Sequence, residues 1–274
     1  MNVLFPSSAG EALHMLADTP EATPMAGGTD LLVHWPVHLD AHRKHYVDLS
    51  GAHELRTMRW TDEALVLGAL TTYWDVIQDA QTRATFPLLV DAARQVGSVQ
   101  IQARGTWAGN IVNASPAADG VPVLMVYDAT VVLDSIAGRR EVPLSEFYRG
   151  YKEMDRRPDE LVTEIRIPRD SYEGGVQEFI KVGPRRAQAI TKVGVAVTRN
   201  RDGWRVVANS VAPTVRRCPA VEQFLNEGAP SAPGDLIDPI RRDVSPIDDI
   251  RSTAAYRETV LARVLFHAVI ETTT

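Results

Sequence analysis

The stretch that most restricts how this chain can fold is Arg104-Gly-Thr-Trp-Ala-Gly-Asn-Ile-Val-Asn-Ala-Ser-Pro-Ala-Ala-Asp119, built from small residues, turn formers and one carboxylate. Gly105, Ala108 and Gly109 have little or no side chain, so the backbone there admits a close neighbour. Thr106, Asn110 and Asn113 add short groups that donate or accept hydrogen bonds. Pro116 stiffens the exit, and Val121 to Val126 resumes an apolar run. A glycine-rich turn with exposed backbone donors suits an anion such as phosphate, although a polar loop between two core elements accounts for the same composition.

A second stretch, Met25-Ala-Gly-Gly-Thr-Asp-Leu-Leu32, is also glycine-rich, follows a short apolar segment and leads into another. Neither stretch has the spacing of a dinucleotide fingerprint or a phosphate-binding P-loop. Gly27-Gly28-Thr29 is not G-x-G-x-x-G, and Gly105 to Asn110 lacks the closing Lys-Ser/Thr. Both of those nucleotide folds are therefore disfavoured.

Taken in order, the chain alternates helix and strand signals. Ser8-Ala-Gly-Glu11 has capping-box spacing and opens a helix that Pro20 stops. Thr23 to Ala26, Tyr46 to Leu49 and Ala64 to Leu67 read as strands, and Thr71 to Ala80 and Phe86 to Val96 as helices. Ala129 to Leu133 and the alternating Leu161 to Ile167 read as strands, with Pro168 closing a first domain. Val176 to Val182, Lys192 to Thr198 and Trp204 to Val211 are three further strands. Pro219 to Leu225, Asp235 to Ile240 and Ser252 to Ile270 are helices.

His34, His38 and His42 repeat every four residues and His45 follows, a pattern that stacks metal ligands on one helical face. Pro36 interrupts that helix, and no Cys, Asp or Glu completes a ligand set, so a solvated segment is the expectation. The single cysteine, Cys218, excludes an intrachain disulfide and a four-thiolate iron–sulfur cluster. Arg216 and Arg217 beside it would favour a thiolate, whereas burial would do the opposite. A net charge of −6 gives no reason to expect nucleic acid. No basic-then-apolar leader and no span of about 20 apolar residues is visible, so a cytoplasmic location without a membrane span is expected.

The segments Ala26-Gly-Gly-Thr-Asp-Leu31, Gly105-Thr-Trp-Ala-Gly-Asn-Ile111 and Ala114-Ser-Pro-Ala-Ala-Asp119 resemble the two FAD-binding signatures of the medium, flavin-carrying subunit of molybdenum hydroxylases. That family includes xanthine dehydrogenase and aerobic carbon monoxide dehydrogenase. The usual second signature reads Thr-Ile-Gly-Gly-Asn; here Trp107 replaces Ile and Ala108 the first Gly. Asp248 to Arg257 is similar to the family's C-terminal domain, so the likeness covers nearly the whole chain.

The resemblance implies an α+β fold. A FAD-binding domain of the PCMH (vanillyl-alcohol-oxidase-like) type would occupy residues 1–170, its two α+β subdomains dividing near 50–55. A C-terminal domain over 171–274 would hold a three-stranded antiparallel sheet and a helical bundle. It also implies FAD, with its pyrophosphate between Ala26, Gly27, Gly28, Thr29, Asp30 and Leu31 on one side and Thr106, Trp107, Ala108, Gly109 and Asn110 on the other. Trp107 would either shield the cofactor or face the core. Asp119 matches an acidic residue at the nucleotide end, or is a turn carboxylate; Lys181 matches a lysine near the isoalloxazine, or is a strand-edge lysine. Val96 and Val162 fall at apolar contact positions, or belong to the core.

A flavin brings its own redox chemistry, which fits the absence of any nucleophile–base pair or metal set. The implied partners are a small subunit with two [2Fe–2S] clusters and a large molybdopterin subunit, as a dimer of heterotrimers. A self-contained FAD-dependent reductase of the same architecture, and a scaffold that has lost its flavin, are the competing expectations.

Overall fold

The computed structural model describes residues 2–34, 45–169 and 175–270. Strand β1 (Asn2–Leu4) leads to helix α1 (Ala9–Asp18), β2 (Thr23–Met25) and β3 (His45–Asp48). These strands form a parallel sheet in the order β1-β3-β2. At the start of α1, Ser8 Oγ accepts the Glu11 N–H at 3.1 Å, while Glu11 reaches back to the N–H of Ser7 rather than Ser8. Ala12 and Leu16 are the residues of this helix that reach the core.

Next come β4 (Met58–Trp60), β5 (Ala64–Gly68), α2 (Tyr73–Gln78), α3 (Ala80–Thr85), α4 (Pro87–Gln95), α5 (Val99–Gln102), α6 (Trp107–Val112) and α7 (Gly120–Val126). They are followed by β6 (Thr130–Ser135), β7 (Gly138–Pro143), the small hairpin β8 (Tyr148–Gly150) and β9 (Glu153–Met154), and β10 (Leu161–Pro168). Strands β4-β5-β10-β6-β7 make an antiparallel sheet in that order, which puts the alternating strand read from the sequence at its centre.

The helical region differs from expectation in two ways. Thr71 to Ala80 and Phe86 to Val96 resolve into three helices, because Asp79 sits extended and its carboxylate starts a new helix by accepting from Thr82 N at 2.7 Å. The central small-residue stretch is not simply a loop. Thr106 Oγ1 accepts the Gly109 N–H at 3.0 Å and opens α6, and Ala114, with φ of 49°, ends it.

Beyond residue 174 lie β11 (Gln177–Val182), β12 (Val193–Asn200), β13 (Gly203–Asn209), β14 (Arg216–Arg217), α8 (Pro219–Glu227), α9 (Ile237–Asp243) and α10 (Ala254–Ile270). The antiparallel sheet β11-β12-β13-β14 has four strands where the sequence suggested three. The added strand is two residues long, too short to carry a period. The turn at Asp202-Gly203 needs the glycine, whose φ is 111°.

Both faces of this sheet are covered. Val193, Val195, Val197, Val206 and Ala208 pack under α8, α9 and α10. Phe179, Ala196 and Val207, on the opposite face, belong to the same core as Leu88, Leu89, Val123 and Tyr127.

Ahead of α10, Asp249 accepts from the backbone of Arg251 and Ser252 and forms an ion pair with Arg257, whose Nη2 lies 2.7 Å from Oδ1. These hydrogen bonds and the Arg257 charge hold its carboxyl down at about 2, although burial pulls the other way. A carboxyl depressed in the folded state stabilises it above the ordinary value near 3.9, and that contribution fades as pH falls toward about 2. Asp249→Asn should therefore flatten the acid-unfolding profile between roughly pH 4 and pH 2. Unchanged acid titration of stability in that variant would contradict the assignment.

Candidate functional site

Strand β2 delivers the chain directly into Gly27-Gly28-Thr29. A Cβ on Gly27 would fall well inside van der Waals contact of the Arg104 carbonyl oxygen, so glycine here is what lets the two small-residue stretches touch. Arg104 Nε returns a long 3.4 Å hydrogen bond to the Gly27 carbonyl. Gly28 has φ of 71°, and its carbonyl accepts the Leu32 N–H at 3.0 Å as a short 3₁₀ turn over Leu31–His34 begins.

The second stretch is fixed against the β5–α2 junction. Tyr73 N donates to Gly105 O at 3.1 Å, Trp107 N donates to Thr71 O at 3.2 Å, and Thr72 bridges Thr106. A Cβ on Gly105 would lie 3.3 Å from Thr29 Oγ1 and 3.2 Å from the Tyr73 ring. A Cβ on Gly109 would meet just one group within 4 Å, Thr106 Oγ1 at 2.8 Å, and otherwise point into open space. Asn110 Oδ1 accepts the Gly120 N–H at 3.1 Å, which ties α6 to α7.

Between the stretches opens a cleft of about 410 Å³, within the range of small-molecule sites, roughly 300–1,000 Å³. Of the residues read from the sequence, Ala26, Gly27, Gly28, Thr29, Asp30, Leu31, Val96, Thr106, Ala108, Gly109, Asn110 and Val162 all line it. Ala108 sits in the lining without obstructing it, so the departure from the usual glycine leaves the cradle open.

Trp107, Asp119 and Lys181 are not in that lining. Trp107 turns inward and is fully buried, its ring centroid 4.9 Å from that of Tyr73. Its six-residue helix rotates about 100° per residue, so Trp107 and Ile111 face the core while Thr106 and Asn110 face the cleft. The indole Nε1 is buried without a hydrogen-bond partner among the described residues.

Asp119 and Lys181 meet each other, on elements from the two halves of the chain. Lys181 Nζ donates to Asp119 Oδ2 at 2.6 Å and to the Gln95 carbonyl at 2.9 Å, and Thr191 Oγ1 donates to Asp119 Oδ1 at 2.5 Å. Burial pushes the Asp119 carboxyl up, against the pull of Lys181 and of the Thr191 and Asn209 hydrogen bonds. Lys181 does lie on β11, an edge strand of its sheet, but its side chain is turned in to Asp119 rather than to solvent and is only 7% exposed. Through Gln95 and Gly120 the pair abuts two cleft residues, Val96 and Asn110.

Several cleft residues were not read as site residues from the sequence: Tyr73, Ile101, Met154, Arg156 and Leu161. Leu161 could have been found, because it opens the alternating strand that contains Val162. Tyr73 reads as an ordinary helix residue, and Ile101 falls in no element read from the sequence. Burial and the nearby Asp119 push the Tyr73 hydroxyl well above the usual tyrosine range, so it stays protonated. Glu160 also lines the cleft, but Arg140 holds both its oxygens, at 2.6 and 2.8 Å, and keeps its carboxyl below the usual range.

Elsewhere, Cys218 is buried, and burial pushes its thiol up, so the neighbouring arginines do not make it reactive. His38 and His42 lie outside the described residues. Among the described residues no group of three or more His, Cys, Asp or Glu side chains is placed to hold a metal. No described helix is long and apolar enough to cross a membrane.

One glycine-rich segment leaving β2 and another opening α6 line a single cleft, the arrangement expected of a protein that holds a nucleotide cofactor. Residues 1–170 match the family model for the FAD binding domain in molybdopterin dehydrogenase, and residues 178–272 match that for the CO dehydrogenase flavoprotein C-terminal domain. The chain belongs to the FAD-binding subunits of molybdopterin dehydrogenases, and is thus an oxidoreductase component.

It is 30% identical to the xanthine dehydrogenase FAD-binding subunit of Escherichia coli O157:H7, over 96% of this chain and 94% of the relative. It is 29% identical to the carbon monoxide dehydrogenase medium chain of Hydrogenophaga pseudoflava, with the same coverage. A solved structure of carbon monoxide dehydrogenase from that organism, lacking the Mo-pyranopterin moiety, superposes with a TM-score of 0.91 at 28% identity. That match covers 98% of this chain and 96% of the other.

Proposed function

We propose that this chain is the electron-transferring flavin subunit of a heteromeric molybdenum hydroxylase, with FAD held non-covalently in the cleft between Gly27-Gly28-Thr29 and Thr106 to Asn110. The observation that carries this reading is the open space beyond Gly109, a cradle that a single Cβ would begin to fill, set opposite a second glycine turn. The FAD-binding part would be of the PCMH type.

Bound FAD would supply the redox chemistry. The chain's own residues would do the binding. Gly109 would leave room for the pyrophosphate, Gly27 lets the two segments close on each other, Thr29, Thr106 and Asn110 would offer polar atoms, and Val96 and Val162 would contribute apolar walls. Asp119 and Lys181 would act from behind the wall, holding Gln95 and the α7 start in place. No His or Cys stands in either glycine segment to make a covalent link.

The partners would be a small subunit carrying two [2Fe–2S] clusters, which delivers electrons, and a large molybdopterin subunit where substrate is hydroxylated. The assembly would be a dimer of such trimers in the cytoplasm, and this chain would pass electrons to an external acceptor. The single cysteine cannot ligate a cluster alone.

The test compares the lone chain with the co-expressed trio. The lone chain should be yellow and release intact FAD in acid, yet fail to oxidise the aldehydes, purines and aromatic heterocycles that the trio turns over. A chain that stays colourless with added FAD would refute flavin binding. Equal turnover by the lone chain would refute the subunit role.

A further inference from the structure

The lining of the cleft is uneven. Val96 and Ile101, just before and within α5, are partly exposed. Met154, Arg156, Glu160, Leu161 and Val162 line it from one stretch of chain, a wall in which Leu161 and Val162 are 5% and 2% exposed. Among the described residues Arg156 is the one cationic side chain that lines the cleft.

Its guanidinium is pinned at one nitrogen. Nη1 donates to the carbonyls of Glu160 at 2.7 Å, Arg157 at 3.0 Å and Pro158 at 3.4 Å. Among the described residues no carboxylate lies within ion-pair distance of it, and Nε and Nη2 have no hydrogen-bond partner. The nearest acid in the wall, Glu160, is already occupied by Arg140. Burial accordingly weakens the hold of Arg156 on its proton, with Glu160 and Asp159 offsetting only part of that effect. A half-buried cation in the lining of a cleft, pinned at one nitrogen and with donors left over, is costly unless a ligand answers it.

We propose that Arg156 anchors the adenosine monophosphate half of the cofactor, its guanidinium meeting the phosphate and the flat purine. This rests on the reading of the cleft as a FAD site. The buried Leu161–Val162 wall suits the half that only has to be held, whereas the isoalloxazine must meet redox partners and fits the more exposed lining at Val96 and Ile101. Arginine presents a planar, permanently charged group that both donates to phosphate and stacks on a heteroaromatic ring.

The experiment titrates the flavin-stripped full-length chain with FAD, riboflavin and ADP. Measurements are made on the unaltered protein and on Arg156→Met and Arg156→Lys, with circular dichroism in parallel. Loss of one charge-assisted contact should raise the Kd for FAD and ADP at least about tenfold in Arg156→Met, and less in Arg156→Lys. Riboflavin, which lacks the adenosine monophosphate half, should bind the variants as it binds the unaltered chain.

Equal weakening of FAD and riboflavin would place Arg156 at the ring system and overturn the proposal, as would unchanged FAD affinity. Should Arg156→Met lose its folded spectrum, Arg156→Gln takes its place, keeping a donor for the three carbonyls. Failure of ADP to displace FAD from the unaltered protein would overturn the proposal by itself. Failure of the unaltered protein to bind FAD at all would instead remove the flavin reading on which it rests.

Discussion

Gly27→Ala should strip the protein of FAD and destabilise it, whereas Gly109→Val should strip it of FAD and leave the fold standing. The difference follows from what each missing side chain makes room for. At Gly27 a methyl group would have to occupy the place of the Arg104 carbonyl oxygen, so backbone must give way to it. Overpacking of that kind costs about 1–3 kcal/mol and would force apart the two segments that frame the cleft. At Gly109 the added carbons would meet one movable hydroxyl, that of Thr106, and then extend toward the space reserved for the pyrophosphate. The protein's own cost there is partial loss of the Thr106 cap, about 1 kcal/mol. Flavin content, thermal unfolding and circular dichroism on both variants decide the matter. Normal flavin occupancy in Gly109→Val would show that this helix start does not face the cofactor.

Lys181→Met should be among the most destabilising single substitutions at neutral pH. The variant keeps an unbranched side chain of similar length but leaves the buried Asp119 with only Thr191 and Asn209 to answer its charge. Removing one partner of a buried pair costs about 3–5 kcal/mol, because the survivor's charge goes uncompensated. The pH dependence has a definite sign. Burial already raises the Asp119 carboxyl, and without Lys181 it would rise further, so the folded state would bind a proton more tightly than the unfolded chain. The variant's deficit should therefore shrink as pH is lowered into the range where Asp119 protonates. The double variant Asp119→Asn with Lys181→Met should recover much of the loss. A deficit independent of pH, with no recovery in the double variant, would mean that the lysine matters for packing rather than charge.

The sequence carried the elements whose period is visible from one side. The centre of the second sheet was legible because β10 is buried on one face and only partly on the other along Glu164, Arg166 and Pro168. Helix α7 was not, because every residue from Gly120 to Val126 is buried and no polar face marks its turn. The glycine segments were legible as a cleft because close backbone approach leaves a local mark, an unbroken run of small residues. Arg156 left none. Its role is set by carbonyls of the Arg157 to Glu160 turn and by a wall assembled from β9 and β10. The pairing of Asp119 with Lys181 was equally hidden, since two residues far apart in sequence each resembled a separate contact with the cofactor.

The sheet β11-β12-β13-β14 is claimed on one face by the first-domain core and on the other by its own helices. Asn209 and Ser210, where β13 ends, also bind the Ala118 and Pro116 carbonyls between α6 and α7. Severed between the two halves, the chain would leave Phe179, Ala196 and Val207 without cover on one fragment and Leu88, Leu89 and Val123 without cover on the other. The halves matched by separate family models are therefore not interchangeable modules, since a graft from a relative would have to bring a matching apolar surface with it. Change in one half is answerable to the other, and the two are bound to be inherited as one unit.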